Sequence, residues 1–422
     1  MLNRIQAPSF SIPSKVELPI PSLYTCANNY PIYTFNSGTQ PILCLTFCFA
    51  AGSSLASNPL IASFANRFLL QGTTTKNSKE LIEALDFYGA YIQQDTDSNY
   101  STIKLFTLEK HLQPVLTILE EIFTSASFPE EDCKILINNA IDNYTINQQK
   151  VKFVGAKAFK ETLLKGSIYG ESYDIETYKN LQVQEIKQFA KQHYSFGNGF
   201  ATLAGAYKPE SLSIIDSICN KMNTTNTLPT TTIPTPINKP SKIVLEIKDS
   251  LQSSIHIGSI LPSINHPDYT DLVLLIDVLG GYFGSRLMTN VREDKGYTYG
   301  IHSYIVTNKD FSYLQISTDV SADVRKAAVE EIYKEIQLLQ TSLIPKEELE
   351  IVRNYMIGSF LRSIDSSFRI TDKFMYRKTV NADSSYQERY WNSLLHTTPE
   401  QLQNLARKYF NIETLTEVIA GQ

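Results

Sequence analysis

Leu279-Gly-Gly-Tyr-Phe-Gly-Ser-Arg-Leu-Met-Thr-Asn-Val-Arg-Glu-Asp-Lys-Gly-Tyr-Thr-Tyr299 holds more structural punctuation than any other stretch of this 422-residue chain. Gly280 and Gly281 are placed to stop the apolar helix before them, since glycine takes a left-handed helix end without steric cost. Ser285 is placed as the N-cap of a short helix with Leu287, Met288 and Val291 on its inner side. Gly296 ends that helix, and Tyr297-Thr-Tyr299 opens a strand. Arg292 therefore sits near a helix C-terminus and Tyr299 in extended chain seven residues on. That fold-back can aim a guanidinium and a phenol into one cleft; the plainer alternative pairs Arg292 with a carboxylate and packs Tyr299 in a sheet.

The length allows two domains with sizeable cores. A hydrophobic content of 42% and a charged content of 19% are ordinary for a globular protein. The net charge of −5, with no Lys/Arg block, gives no support to nucleic-acid binding or an electrostatic membrane anchor. Cys26, Cys44, Cys48, Cys133 and Cys219 lack CxxC spacing and read as reduced thiols in a reducing compartment, so a cytoplasmic location is expected. The first residues show no signal-peptide run, and no transmembrane-length run follows; a trimmed export signal remains compatible with this.

Leu43 to Ala50 alternates as a strand, and a helix follows Pro59 with Leu60, Ile61, Phe64, Phe68 and Leu69 at core spacing. Asn77 with Glu80 predicts a capping box, and Gly89 the end of that helix. Tyr91 to Phe106 reads as a strand hairpin. Between Asn220 and Ser241 the composition turns to Thr, Asn and Pro, a run that buries little and breaks helices. It divides the chain into residues 1–220, a linker at 221–241, and residues 242–422.

The two parts repeat. Phe128-Pro-Glu-Glu-Asp-Cys-Lys-Ile-Leu-Ile-Asn-Asn139 matches Ile344-Pro-Lys-Glu-Glu-Leu-Glu-Ile-Val-Arg-Asn-Tyr355 at an offset of 216. The same offset aligns Ile186, Phe189 and Ala190 with Leu402, Leu405 and Ala406. A period this long excludes a solenoid and implies two copies of one α+β domain.

Taken together, Leu-Gly-Gly, Ser-Arg-Leu, Val-Arg-Glu and Gly-x-x-Tyr, on a duplicated chain, resemble the insulinase/pitrilysin-type metallopeptidases, which include the mitochondrial processing peptidase. The resemblance covers nearly the whole chain. It implies two homologous domains, each a mainly antiparallel sheet covered by helices, forming a clam-shaped half chamber. It further implies that Arg292 holds a peptide carbonyl and that Tyr299 donates its hydroxyl to the tetrahedral oxyanion.

Active members of that family carry His-x-x-Glu-His on the first helix, where two histidines share a face, bind zinc and flank the general base. Here Ser63 stands at the first histidine, Asn66 at the base and Arg67 at the second histidine. A permanent cation has no lone pair for a metal. The later glutamate ligand falls near Asn139, another amide. None of the six histidines precedes a glutamate by three residues, and His256 and His266, the nearest pair, read as structural. No phosphate loop, nucleophile elbow or Cys/His pairing is present. Glu120/Glu121 and Glu330/Glu331 read as solvated surface.

The resemblance therefore implies a zinc-free subunit of a heterodimeric peptidase. A partner would bring His-x-x-Glu-His and its zinc; this chain would bring Arg292, Tyr299 and an edge for unfolded peptide. The other expectation is a non-catalytic peptide-binding or assembly protein of the same fold, as in the core subunits of a respiratory complex, with a homodimer as its simplest form. An independent peptidase conflicts with the missing ligands.

Overall fold

The computed structural model describes residues 11, 13–222, 224, 235–237 and 239–422. Most of the Thr/Pro-rich linker predicted at 221–241 lies outside the described residues.

Two sheets are built from β1 (Ser22–Thr25), β2 (Pro31–Asn36), β3 (Ile42–Phe49), β4 (Tyr91–Thr96), β5 (Ser101–Leu108) and β6 (Gly199–Gly205) on one side of the linker, and from β7 (Lys242–Glu246), β8 (Gln252–Leu261), β9 (Thr298–Thr307), β10 (Ser312–Ser321) and β11 (Thr416–Gly421) on the other. The strand orders are β1-β2-β6-β3-β5-β4 and β7-β11-β8-β10-β9. In each sheet only one neighbouring pair is parallel, β2 with β6 and β7 with β11, so both are mainly antiparallel with one late strand returned beside an early one.

The repeat holds at the level of elements. Helices Val151–Leu163 and Ser367–Thr379, and helices Val183–His193 and Pro399–Tyr409, have matching ends at the 216-residue offset. Other expected signals are met: Asn77 and Glu80 form a reciprocal capping box on Ser78–Phe87, and Gly89 follows with φ +61°.

β3 departs from its alternating pattern. Seven of its eight residues are buried, including Cys44, Thr46 and Cys48 on the face opposite Leu45, Phe47 and Phe49. The cover comes from the other half of the chain. Phe368, Ile370 and Phe374 of the Ser367–Thr379 helix pack on Phe35, Cys44 and Ala204 of the first sheet. Reciprocally, Phe159 and Leu163 of the Val151–Leu163 helix pack with Tyr313 and Val418 of the second sheet. Each repeat thus lends its equivalent helix to the other repeat's sheet. The approach is close: a Cβ on Gly258 would lie 1.9 Å from the Leu314 carbonyl and 2.9 Å from the Phe159 ring. All five cysteines are buried free thiols.

Candidate functional site

Helix Tyr269–Ile276 runs on through wider, i→i+5 turns over Asp277–Gly281, where Gly280 leaves helical geometry at φ −162°. The glycine pair does stop the helix, but by close approach rather than by a left-handed cap. A Cβ at Gly280 would meet the Ser303 side chain at 2.7 Å, and one at Gly281 the Asp277 carboxylate at 1.8 Å. Residues Met288–Asp294 form a second π-helical segment, with Leu287, Met288 and Val291 buried. Lys295 N–H closes it on the Asn290 carbonyl at 3.0 Å, and Gly296 turns out at φ +65°. Ser285 is not a side-chain cap: its hydroxyl is buried without a hydrogen-bond partner among the described residues. Arg286 holds this end instead, through a two-pronged pair with Glu348 at 2.7 and 2.9 Å.

Seven residues separate Arg292 from Tyr299, and the turn brings them together: Arg292 Nε donates to the Tyr299 carbonyl at 3.1 Å. The guanidinium also lies 4.5 Å from the centre of the Phe283 ring and 3.5 Å from Glu293. Tyr299 itself is 98% exposed. It lies in an irregularity of edge strand β9, where the register with β10 slips between Thr318 and Val320. Extra residues of this kind re-aim a side chain out of the regular pleat. Two threonines brace it: Thr298 Oγ1 donates to the Asp319 carbonyl (2.8 Å) and accepts from Gly300 N–H (3.1 Å) and the Thr318 hydroxyl (2.9 Å). Phe283, Thr298 and Thr318 were not singled out by sequence reasoning. Phe283 and Thr298 stand inside the opening stretch, but no spacing rule marks them.

At the first helix, Ile61–Phe68, the chemistry is different. Ser63 donates to its own helix, to the Leu60 carbonyl at 3.3 Å. Asn66 is 1% exposed, and its amide reaches the Asp95 carbonyl (2.7 Å), Thr96 Oγ1 (3.1 Å) and the Thr102 carbonyl (3.2 Å). Gln94 in turn donates to the Asn66 side-chain oxygen at 3.3 Å. Arg67 is exposed, its guanidinium 5.4 Å from the Phe64 ring centre, and Asn139 is exposed on helix Glu130–Asn147. This donor set does not fit zinc: the hydroxyl and the amide serve the backbone, and the guanidinium has no lone pair to give. Among the described residues no group of three or more His, Cys, Asp or Glu side chains could hold a metal ion. His256 and His266 do not cluster. His256 is buried in β8 against Ser254 Oγ at 3.0 Å, and burial drives its pKa down to about 4. His266 accepts from Asp268 N–H at 3.1 Å.

Two acids assigned to open surface are in fact clamps. Glu121 accepts from Thr73, Thr75 and Lys76. Burial opposes its ionisation, but the Lys76 ammonium and both hydroxyls outweigh that and hold the carboxyl at about 2. Glu331 accepts from Asn290 at 2.9 Å.

Family models bear on this arrangement. Residues 39–172 match the insulinase (peptidase family M16) description and residues 180–356 match "Peptidase M16 inactive domain"; the chain belongs to the insulinase/M16 family. It is 23% identical over 399 residues to the uncharacterized zinc protease YmxG of Bacillus subtilis, covering 92% of this chain and 95% of that protein. It is 20% identical to the non-peptidase homolog YmxG of Helicobacter pylori, over 93% and 91% of the two chains. A shorter match, 26% identical over 35% of this chain and 40% of the relative, is to cytochrome b-c1 complex subunit 2 of Saccharomyces cerevisiae, a subunit of a multi-subunit complex. The fold matches a peptidase M16 inactive domain structure from Pseudomonas fluorescens with a TM-score of 0.87 at 21% identity, over 95% and 98% of the chains. A two-domain M16-type fold is thus the class this chain shares with them. No helix among the described residues is long and apolar enough to cross a membrane.

Proposed function

We propose that this protein is the non-metal-binding subunit of a heterodimeric zinc peptidase, lending Arg292 and Tyr299 to a partner that carries His-x-x-Glu-His and the zinc. The observation that carries this reading is Tyr299, 98% exposed on a braced irregularity of an edge strand. A tyrosine set so far into solvent gains nothing for its own fold, whereas a phenol pre-aimed at an oxyanion supplies on the order of 3 kcal/mol to an acyl-transfer step. In this reading the Arg292 guanidinium steers the substrate carbonyl, and unfolded peptide adds alongside an edge strand, β4 or β9. The domain division at 221–241 then separates the half that has lost the metal from the half that keeps the pair. Five reduced, buried thiols fit a reducing compartment such as the cytoplasm.

The test is reconstitution with a His-x-x-Glu-His relative encoded in the same genome. Cleavage of an unfolded peptide is expected from the mixture and from neither chain alone, with zinc recovered in the partner. Stoichiometric zinc in this chain, with activity alone, overturns the reading.

A second reading is favoured by Arg292 itself. Its Nε is engaged by the Tyr299 carbonyl and its plane by Phe283, as in a clamp that shapes the β9 edge. The protein would then bind peptide or serve assembly without taking part in cleavage, alone or as a homodimer. Peptide binding by a pure homodimer, with no cleavage in any mixture, distinguishes it.

A further inference from the structure

The exchanged helix Ser367–Thr379 turns one face to the first sheet and the other to a cavity of about 280 Å³ in the C-terminal half. Lys373 and Arg377 line that cavity, one helical turn apart, with Tyr376 between them. Neither cation has a carboxylate within ion-pair distance among the described residues; Lys373 Nζ lies instead 4.9 Å from the centre of the Phe360 ring. Burial, and for Lys373 also the neighbouring guanidinium, pushes both pKa values down. A like-charged pair at this spacing destabilises its own helix.

The equivalent positions in the first repeat, 216 residues earlier, are Lys157 and Glu161, which form an ordinary ion pair. The surroundings of the helix differ as well. Tyr144, the counterpart of Phe360, packs against Phe153, Tyr173 and Tyr178 and donates to the Tyr173 carbonyl at 3.0 Å. In the second repeat an arginine replaces the acid. The same cavity is lined by Asp277, whose carboxylate makes no ion pair among the described residues and whose pKa burial raises to about 6. Gln387, also in the lining, has a buried Nε2 with no hydrogen-bond partner among the described residues. Apart from Thr307, whose hydroxyl pairs with that of Tyr269 at 2.6 Å, the rest of the lining is aliphatic or aromatic, including Val273, Ile276, Ile305 and Tyr390.

Two cations without a carboxylate partner and one carboxylate without a cation partner share a largely aliphatic and aromatic cavity, a charge pattern that a molecule carrying both signs satisfies. We propose that this cavity binds a small zwitterion, a free amino acid or dipeptide with an apolar or aromatic side chain, with its carboxylate on Lys373 and Arg377 and its ammonium toward Asp277. The volume lies near the lower bound of small-molecule sites, which sets the size class. The site is separate from Arg292 and Tyr299, neither of which lines the cavity.

Calorimetric titration of the full chain with L-phenylalanine, 3-phenylpropionate and phenethylamine tests each charge separately. L-phenylalanine is expected to bind at least tenfold more tightly than either singly charged analogue. Arg377→Glu restores the pairing of the first repeat; it should abolish binding while the melting temperature holds or rises. Asp277→Asn should erase the preference for L-phenylalanine over 3-phenylpropionate. No binding of L-phenylalanine by the wild-type chain overturns the proposal, as does equal binding of 3-phenylpropionate. Binding that survives Arg377→Glu also overturns it.

Discussion

Helices Val151–Leu163 and Ser367–Thr379 occupy the same place in the two repeats, and each crosses to lie on the other repeat's sheet. Around that shared frame the halves have diverged in opposite directions. In the first half, polar positions have been turned inward to hold the backbone: Asn66 ties the first helix to the β4–β5 hairpin, and Lys157 is neutralised by Glu161. In the second half, groups are left outward and unneutralised: Tyr299 stands in solvent, and Lys373 and Arg377 face open space. The lesson is that a duplicated fold can turn polar groups to internal pairing in one copy while the other copy leaves charges without an opposite partner.

The frame can be broken first. Gly258→Val puts a branched side chain where even a Cβ meets the Leu314 carbonyl and the Phe159 ring. The cost expected from overpacking is about 3 kcal/mol, read from urea unfolding. A Gly258→Val chain as stable as the parent would show that the exchanged helix is only loosely seated. The chemical asymmetry is probed by Tyr299→Phe in the reconstituted pair. Turnover should fall about 100-fold, near 2.7 kcal/mol, with subunit association unchanged; the same substitution in the isolated chain should leave its stability within about 0.5 kcal/mol. Unchanged turnover removes Tyr299 from catalysis.

Arg286→Ala asks whether the Arg292 turn depends on its anchor. It leaves Glu348 half-buried without its partner, and a loss of about 2 kcal/mol is expected from thermal unfolding. The smallest effect concerns the Glu121 clamp. The Glu121 carboxyl is held at about 2, below its ordinary 4.5. Its contribution is therefore complete above pH 4.5 and lost as pH falls toward 2. Glu121→Gln should flatten stability across that window by on the order of 1 kcal/mol, since the group is partly solvated. An unaltered acid profile would show the clamp carries no ionic share.

Much of this was legible in local sequence. The Asn77–Glu80 capping box, the Gly296 stop and the burial of Leu287, Met288 and Val291 follow from short-range rules, and the structure places each as expected. The 216-residue offset fixed the duplication because core residues repeat in register wherever the same helix must bury the same face. That Ser63, Asn66 and Arg67 do not make a zinc-ligand set was equally plain, since ligand capacity is a property of the side chain alone.

What sequence could not decide depends on partners distant along the chain. Ser285 has the residue type of a cap and is not one, because Arg286 finds Glu348 across the fold. Gly280 has the residue type of a left-handed stop, but its constraint is Ser303 pressing from β9. Glu121 reads as solvated until Thr73, Thr75 and Lys76 fold onto it. Local pattern determines which elements form and that they form twice; only the tertiary structure decides that the copies trade helices, because burial is settled by whatever surface arrives, not by the strand that awaits it.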